Sequence, residues 1–310
     1  MSSERLIRYI TQSNLDGIKQ LIEEYNINPN HPGGGYYPLL VAIYQNKTTI
    51  VNYLINLPNI NLNVYNNKGM GVLHDAVFAN NLTTVQLLIS RGANINNVDN
   101  KARTPLTTAI INGYHNIVDE LLKHNATVRL IDIRMAIKHN YPFISFPNLL
   151  NRLTYPPTHD DIIRWMHTIV THDGNDEEYF EYLFERYCTF PEIISDLIGY
   201  QDKYHYKLIT YAACCSVSTL KILLRNGANP NEIDEDGETP LYIVVENYYN
   251  DENPEYLDNI QSLLEYGADP FFKKGERTIL EIAKEDNKPK VVGVIENYLN
   301  FSDVKGAEEN

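Results

Sequence analysis

Within residues 104–128, TPLTTAIINGYHNIVDELLKHNATV, apolar residues recur at helical spacing in two runs separated by Asn112-Gly113. The pattern predicts a short helix from Pro105 to Ile111 and a longer one from His115 to Lys123. Such a hairpin cannot bury its apolar face alone and has to stack on a neighbour. The stretches 131–139, 147–153, 160–172, 176–188 and 191–200 also read as helices, several opening on Asp or Pro.

The hairpin pattern recurs. GVLHDAVFANNLTTVQLLISRGANIN (71–96), TPLTTAIINGYHNIVDELLKHNATV (104–128) and TPLYIVVENYY (239–249) with IQSLLEYGADP (260–270) align in register. Leu39, Leu73 and Leu106 lie 34 and 33 residues apart, and Ala93 and Ala126 lie 33 apart. TPLH-like and LLxxGAxxN-like blocks at this spacing resemble the ankyrin repeat. Less regular copies occupy 6–30, 36–63, 208–231 and 277–299. The 239–270 copy carries extra residues around 250–256, read as a lengthened loop. The resemblance implies an all-α solenoid of stacked helical hairpins with short projecting β-turns, about seven recognisable copies plus a diverged helical middle.

The chain then divides into N-terminal repeats (1–130), a diverged segment (131–206), acidic C-terminal repeats (207–300) and a tail (301–310) expected to fray. From Ala126 to Ala228 is 102 residues, three times 34, so two diverged copies would fit. A helical insertion satisfies the count too, and diverged copies are the preferred reading.

NEIDEDGETPL (231–241) poses a question of chemistry, because it crowds acids around Gly237. A calcium loop with Gly237 at its sixth position would need a bidentate glutamate where Ile243 stands. Thr239-Pro240 instead reads as a helix start, and the acidic stretch as the projecting turn before it. NNKG (66–69) and HPGGG (31–35) hold equivalent places. No Lys-Ser/Thr pair follows the latter glycines, which argues against a phosphate loop.

The apolar fraction of 43% is ample for a core. No apolar run approaches a membrane span, and the start MSSERLIRYITQ has no signal-type block, so a soluble, cytoplasmic protein is expected. Cys188, Cys214 and Cys215 have neither zinc spacing nor a plausible disulfide framework. Charge is unequally distributed: residues 1–130 hold 10 Lys+Arg and 8 Asp+Glu, whereas 131–310 hold 16 and 32. Between Asn226 and Phe272 there are twelve acids and no Lys or Arg, a balance that disfavours nucleic acid and favours a basic protein partner.

The diverged segment is where catalysis could hide, with His159-Asp160-Asp161, Trp165, His167 and His172-Asp173. The histidines lack the i, i+4 spacing of a one-helix metal site, so structural roles are the better reading. Cys214-Cys215 has no adjoining His-Asp partner, and His74 matches the TPLH histidine, a structural position. No catalytic residue, metal or cofactor is assigned.

What the resemblance implies is a non-enzymatic scaffold binding another protein along its groove and turn tips. Family contact positions carried onto this chain are Tyr36, Tyr44, Gln45, Met70, Phe78, Arg103, Ile111, Cys214, Glu238, Glu246 and Asn247. The expected partner is a protein with a basic segment, engaged by a monomer, with no nucleic acid or membrane. A different reading makes 131–206 an enzymatic or regulatory insertion. Abundant Asn (36 copies), Ile and Tyr have A/T-rich codons, a bias of many large DNA viruses, intracellular bacteria and some protists, and the resemblance to ankyrin proteins of such viruses and bacteria implies a host-directed factor.

Overall fold

The computed structural model describes residues 2–171, 177–248 and 255–308, with the side chains of residues 2 and 301–308 outside the description. It falls into two compact units, 1–156 and 157–310.

The first unit is five helix pairs. They are α1 (Ser2–Thr11) with α2 (Leu15–Lys19, running on as a wider turn over Gln20–Glu24), α3 (Pro38–Tyr44) with α4 (Thr48–Ile55), and α5 (Val72–Phe78) with α6 (Leu82–Ser90). α7 (Pro105–Ile111) with α8 (His115–Lys123) and α9 (Leu130–Lys138) with α10 (Phe146–Asn151) complete the unit. The first members, α1, α3, α5, α7 and α9, pack side by side in series, and α4, α6 and α8 form a second layer behind them. Leu39, Leu73 and Leu106, the repeat-defining leucines, are all buried between the layers.

Local chemistry sets the helix ends. The Thr104 hydroxyl accepts the Thr107 amide at 3.2 Å, and Pro105 occupies the first helical position, where no amide partner is available. The chain leaves each first helix through a left-handed residue, Ser13, Asn46, Asn80, Gly113 and Asn140 in succession. It leaves the second helices through Asn26, Asn59, Gly92 and Asn125. Asn reaches this conformation at lower cost than other side chains, so the richness in Asn serves the stack directly.

Gly113 follows Asn80 by 33 positions, but Asn140 follows Gly113 by only 27. The shortfall is the projecting turn, which is missing between α8 and α9. A buried Asp132 docks α9 in its place: its carboxylate accepts the Thr107 hydroxyl at 2.5 Å and the Arg129 amide at 2.8 Å.

The second unit comprises α11 (His159–Thr171), α12 (Glu177–Tyr187), α13 (Pro191–Gly199), α14 (Leu208–Cys215), α15 (Val217–Arg225), α16 (Pro240–Glu246) and α17 (Glu255–Glu265). A small hairpin, β1 (Lys273–Lys274) and β2 (Arg277–Thr278), then leads to α18 (Ile279–Glu285) and α19 (Pro289–Glu308). α11, α14, α16 and α18 pack in series; α12, α15, α17 and α19 form the second layer. α13 is surplus to the two-helix plan and lies against α11 and α14. Trp165 and Phe180 fill the core where α11 meets α12.

The diverged middle therefore consists of α9–α10, α11–α12 and the extra α13. α19 continues to Glu308, through backbone expected to fray. Most of the predicted loop at 250–256 lies outside the described residues, and α17 starts at Glu255. No described helix is long and apolar enough to cross a membrane.

Candidate functional site

The projecting turns share one construction. The Asn66 carboxamide oxygen accepts the amides of Lys68 (2.9 Å) and Met70 (3.1 Å). One Asp99 oxygen accepts those of Lys101 and Arg103, both at 2.9 Å. Asp202 does the same for Tyr204 (2.8 Å) and Tyr206 (3.0 Å), and Asp234 for Asp236 (3.0 Å) and Glu238 (2.9 Å). In every case a left-handed residue stands three positions on, at Gly69, Ala102, His205 or Gly237. Each acceptor lies five residues before the cap of a first helix: Gly71, Thr104, Lys207 and Thr239. At Gly69 close approach adds a second constraint, since an added Cβ would meet the Asn100 side-chain oxygen at 2.5 Å.

The acids of 231–241 thus belong to a turn of general type, and their neighbours are cationic or hydroxylic. Glu232 pairs with Lys207 at 2.6 Å, Glu238 with Lys274, and Glu235 faces His205 at 3.5 Å. Tyr206 donates to Asp236 at 2.5 Å, which pushes its phenol up to about 12. Among the described residues no three His, Cys, Asp or Glu side chains form a metal-holding group.

Turn tips and first-helix ends display the carried-over positions as follows. Tyr36, Tyr44 and Phe78 are 66%, 67% and 55% exposed, large values for aromatic side chains, and Gln45 is exposed beside them. Tyr44, Phe78 and Ile111 are the last residues of α3, α5 and α7, helices that pack in series, so they share one row. Ile111 and Met70 are half-buried. The Arg103 guanidinium folds back onto Asp99 at 2.7 Å, and this pairing holds the Asp99 carboxyl below the usual carboxylate range despite its burial. Arg103 is consequently a brace for its own turn. In the second unit Glu246 and Asn247 are exposed at the end of α16, whereas Glu238 is engaged by Lys274. Cys214 is half-buried with the Asn247 amide at 4.0 Å from its sulfur, and desolvation pushes its thiol up to about 12. Such a thiol is not a nucleophile at neutral pH.

His74 ties two repeats together. Its Nε2 donates to the Arg103 carbonyl at 3.0 Å, which leaves Nδ1 to accept the Gly71 amide at 3.4 Å. Burial lowers its pKa. The neighbouring Asp75 is also buried; no described residue hydrogen-bonds its carboxyl, which desolvation pushes up to about 7.

The described His and Asp residues of the diverged middle do not converge on one point. Asp160 pairs with Arg164 at 2.9 Å, and Asp161 accepts the Thr158 amide and hydroxyl at the start of α11. His167 is wedged edge-on to Tyr200 and Tyr211, with Nε2 at 3.9 Å from Asp202, and burial lowers its pKa. His172 and Asp173 lie outside the described residues.

With this geometry in place, comparison with known proteins identifies the class. The family of ankyrin repeats in three copies matches residues 6–99, and that of the single ankyrin repeat matches 102–133. Residues 6–99 and 102–133 are ankyrin repeats. The chain is 24% identical over 283 residues to an ankyrin repeat protein of Acanthamoeba polyphaga mimivirus, an alignment covering 86% of this chain and 32% of that protein. It is also 33% identical over 84 residues to protein phosphatase 1 regulatory subunit 27 of Mus musculus and of Homo sapiens, covering 27% of this chain and 54% of each. The chain thus spans about a third of the viral relative's length and about half of the mammalian ones.

Proposed function

We propose that this protein is a non-enzymatic interaction scaffold that grips another protein with its turn tips and first-helix ends. The observation that carries the reading is the row Tyr44, Phe78 and Ile111. Two large rings stand open to water at the same position of successive repeats, where a soluble protein gains nothing from them unless a partner covers them. The likeness to a phosphatase regulatory subunit supports a role in binding rather than catalysis.

The second unit contributes charge. It holds 13 Lys+Arg against 31 Asp+Glu, while the first holds 13 against 9. Because Glu232 and Glu238 are already paired, recognition of a basic segment rests on the remaining acids, Glu246 among them. Similarity to a mimivirus protein and the Asn-, Ile- and Tyr-rich composition support action on a host protein.

Quantitative affinity capture from eukaryotic host lysate, comparing the native chain with Tyr44→Ser/Phe78→Ser and with Glu246→Lys, tests these points. Loss of the same partner in the aromatic variant, and a weaker, less salt-sensitive complex in the charge variant, are expected. Partners indifferent to Tyr44 and Phe78 would refute the scaffold assignment. Partners drawn only from the source organism's own proteins would refute the host-directed part.

A further inference from the structure

In the three central repeats of the first unit, charge is sorted by layer. The turns and first helices of these three repeats span residues 31–47, 64–80 and 97–113, and their acids are Asp75 and Asp99 alone, both buried. Asp99 is cancelled by Arg103. Lys47, Lys68 and Lys101 remain, with no ion-pair partner among the described residues; Lys68 and Lys101 are exposed on the turn tips. Those tips are held side by side, since the Asn100 amide donates to the Lys68 carbonyl at 2.9 Å and its side chain donates to the Asn67 carbonyl at 3.2 Å. The acids of the second-helix layer, Asp16, Glu23, Glu24, Asp119 and Glu120, are all at least partly exposed. Within these repeats the net positive charge lies on the face that also carries Tyr36, Tyr44, Tyr65 and Phe78.

We propose that this face of the first unit docks an acidic protein segment with apolar anchor side chains: aromatic or aliphatic groups seat on the Tyr44–Phe78–Ile111 row while carboxylates face Lys68 and Lys101. The inference rests on the scaffold reading and adds a partner class opposite in charge to the one the second unit would favour. Charge complementarity selects the occupant, because a basic segment would meet lysines and no exposed acid here. Nucleic acid is the lesser match. Three lysines release few counterions, and a chain of net charge −14 repels phosphodiesters as a whole.

Random peptides displayed on phage and selected on the full-length chain supply the probe, and synthetic copies of the enriched peptides supply the affinities. Enrichment of acidic peptides with one or two aromatic or aliphatic residues is expected. Lys68→Glu/Lys101→Glu should weaken their binding by about tenfold or more, and Phe78→Ser should abolish it, with helicity by circular dichroism unchanged in both. Basic or uncharged peptides that still depend on Phe78 would overturn the acidic assignment and leave the scaffold reading intact. Acidic peptides indifferent to the lysine reversals, or oligonucleotides bound more tightly than any peptide, would overturn it as well. Peptides insensitive to both variants would overturn both readings.

Discussion

Asp75→Asn is expected to stabilise the first unit, increasingly so as pH rises. The carboxyl is buried on α5, no described residue hydrogen-bonds it, and only the Lys68 charge favours its ionised form. Desolvation raises its pKa from 3.8 to about 7. Below 3.8 the acid is protonated whether folded or unfolded and contributes nothing. Between the two values the folded chain holds a proton that the unfolded chain has released, so stability falls as pH rises through that window. Above about 7 the full penalty applies, roughly 4 kcal/mol for a shift of about three units. The amide has the same shape and never ionises. After a pH-independent loss of about 1 kcal/mol to the amide's own unmet hydrogen bonds, its advantage should therefore grow from about zero near pH 4.5 to about 3 kcal/mol above pH 8. Urea unfolding of both proteins across this pH range, followed by far-ultraviolet circular dichroism, measures the difference. A gain that does not change with pH, or a loss at high pH, would refute the claim that Asp75 is an uncompensated buried carboxyl.

Other consequences follow from the same contacts. His74→Ala removes the Arg103 and Gly71 hydrogen bonds from a fully buried site and should cost about 2–4 kcal/mol in urea unfolding. Gly69→Val, at φ +73° and against the Asn100 side chain, should cost at least about 2 kcal/mol by the same assay. Lys288→Met withdraws an ammonium that donates to the Val245 and Glu246 carbonyls at 2.9 and 3.0 Å, and should lower the thermal midpoint by several degrees, on the order of 2 kcal/mol. Because burial depresses the His74 and His167 pKa values, the unfolded chain takes up protons that the folded one refuses. Their contribution to stability should fall as pH drops below 6.5, and replacing His167 by Phe should flatten that part of the unfolding profile.

The repeat was legible because its spacing and its caps are local. Pro105 to Ile111 and His115 to Lys123 are the helices the apolar pattern predicts, and Asp234 to Gly237 is a turn. Less legible was the turn at Asp202, which lies in the segment read as diverged. Its signal was nonetheless present: an Asx residue five positions before a helix cap, as at Asn66, Asp99 and Asp234. The acidic stretch is less isolated in the fold than in the sequence. A linear window that ends at Phe272 omits Lys274, and one that starts at Asn226 omits Lys207, yet stacking lays both against the same turn. The position that marks Arg103 as a contact residue does not show that its guanidinium also pairs with Asp99. α13 is the helix that the sequence predicts at 191–200, but it and the shortened link before α9 have no counterpart in the repeat, so the repeat period does not place them in the stack.

The central claim, that partners are held by turns and first helices, is tested most directly by hydrogen exchange on the chain with and without a captured partner. Added protection in 31–47, 64–80 and 97–113, with α4, α6 and α8 unchanged, is the predicted result. Protection confined to α4, α6 and α8 would contradict it.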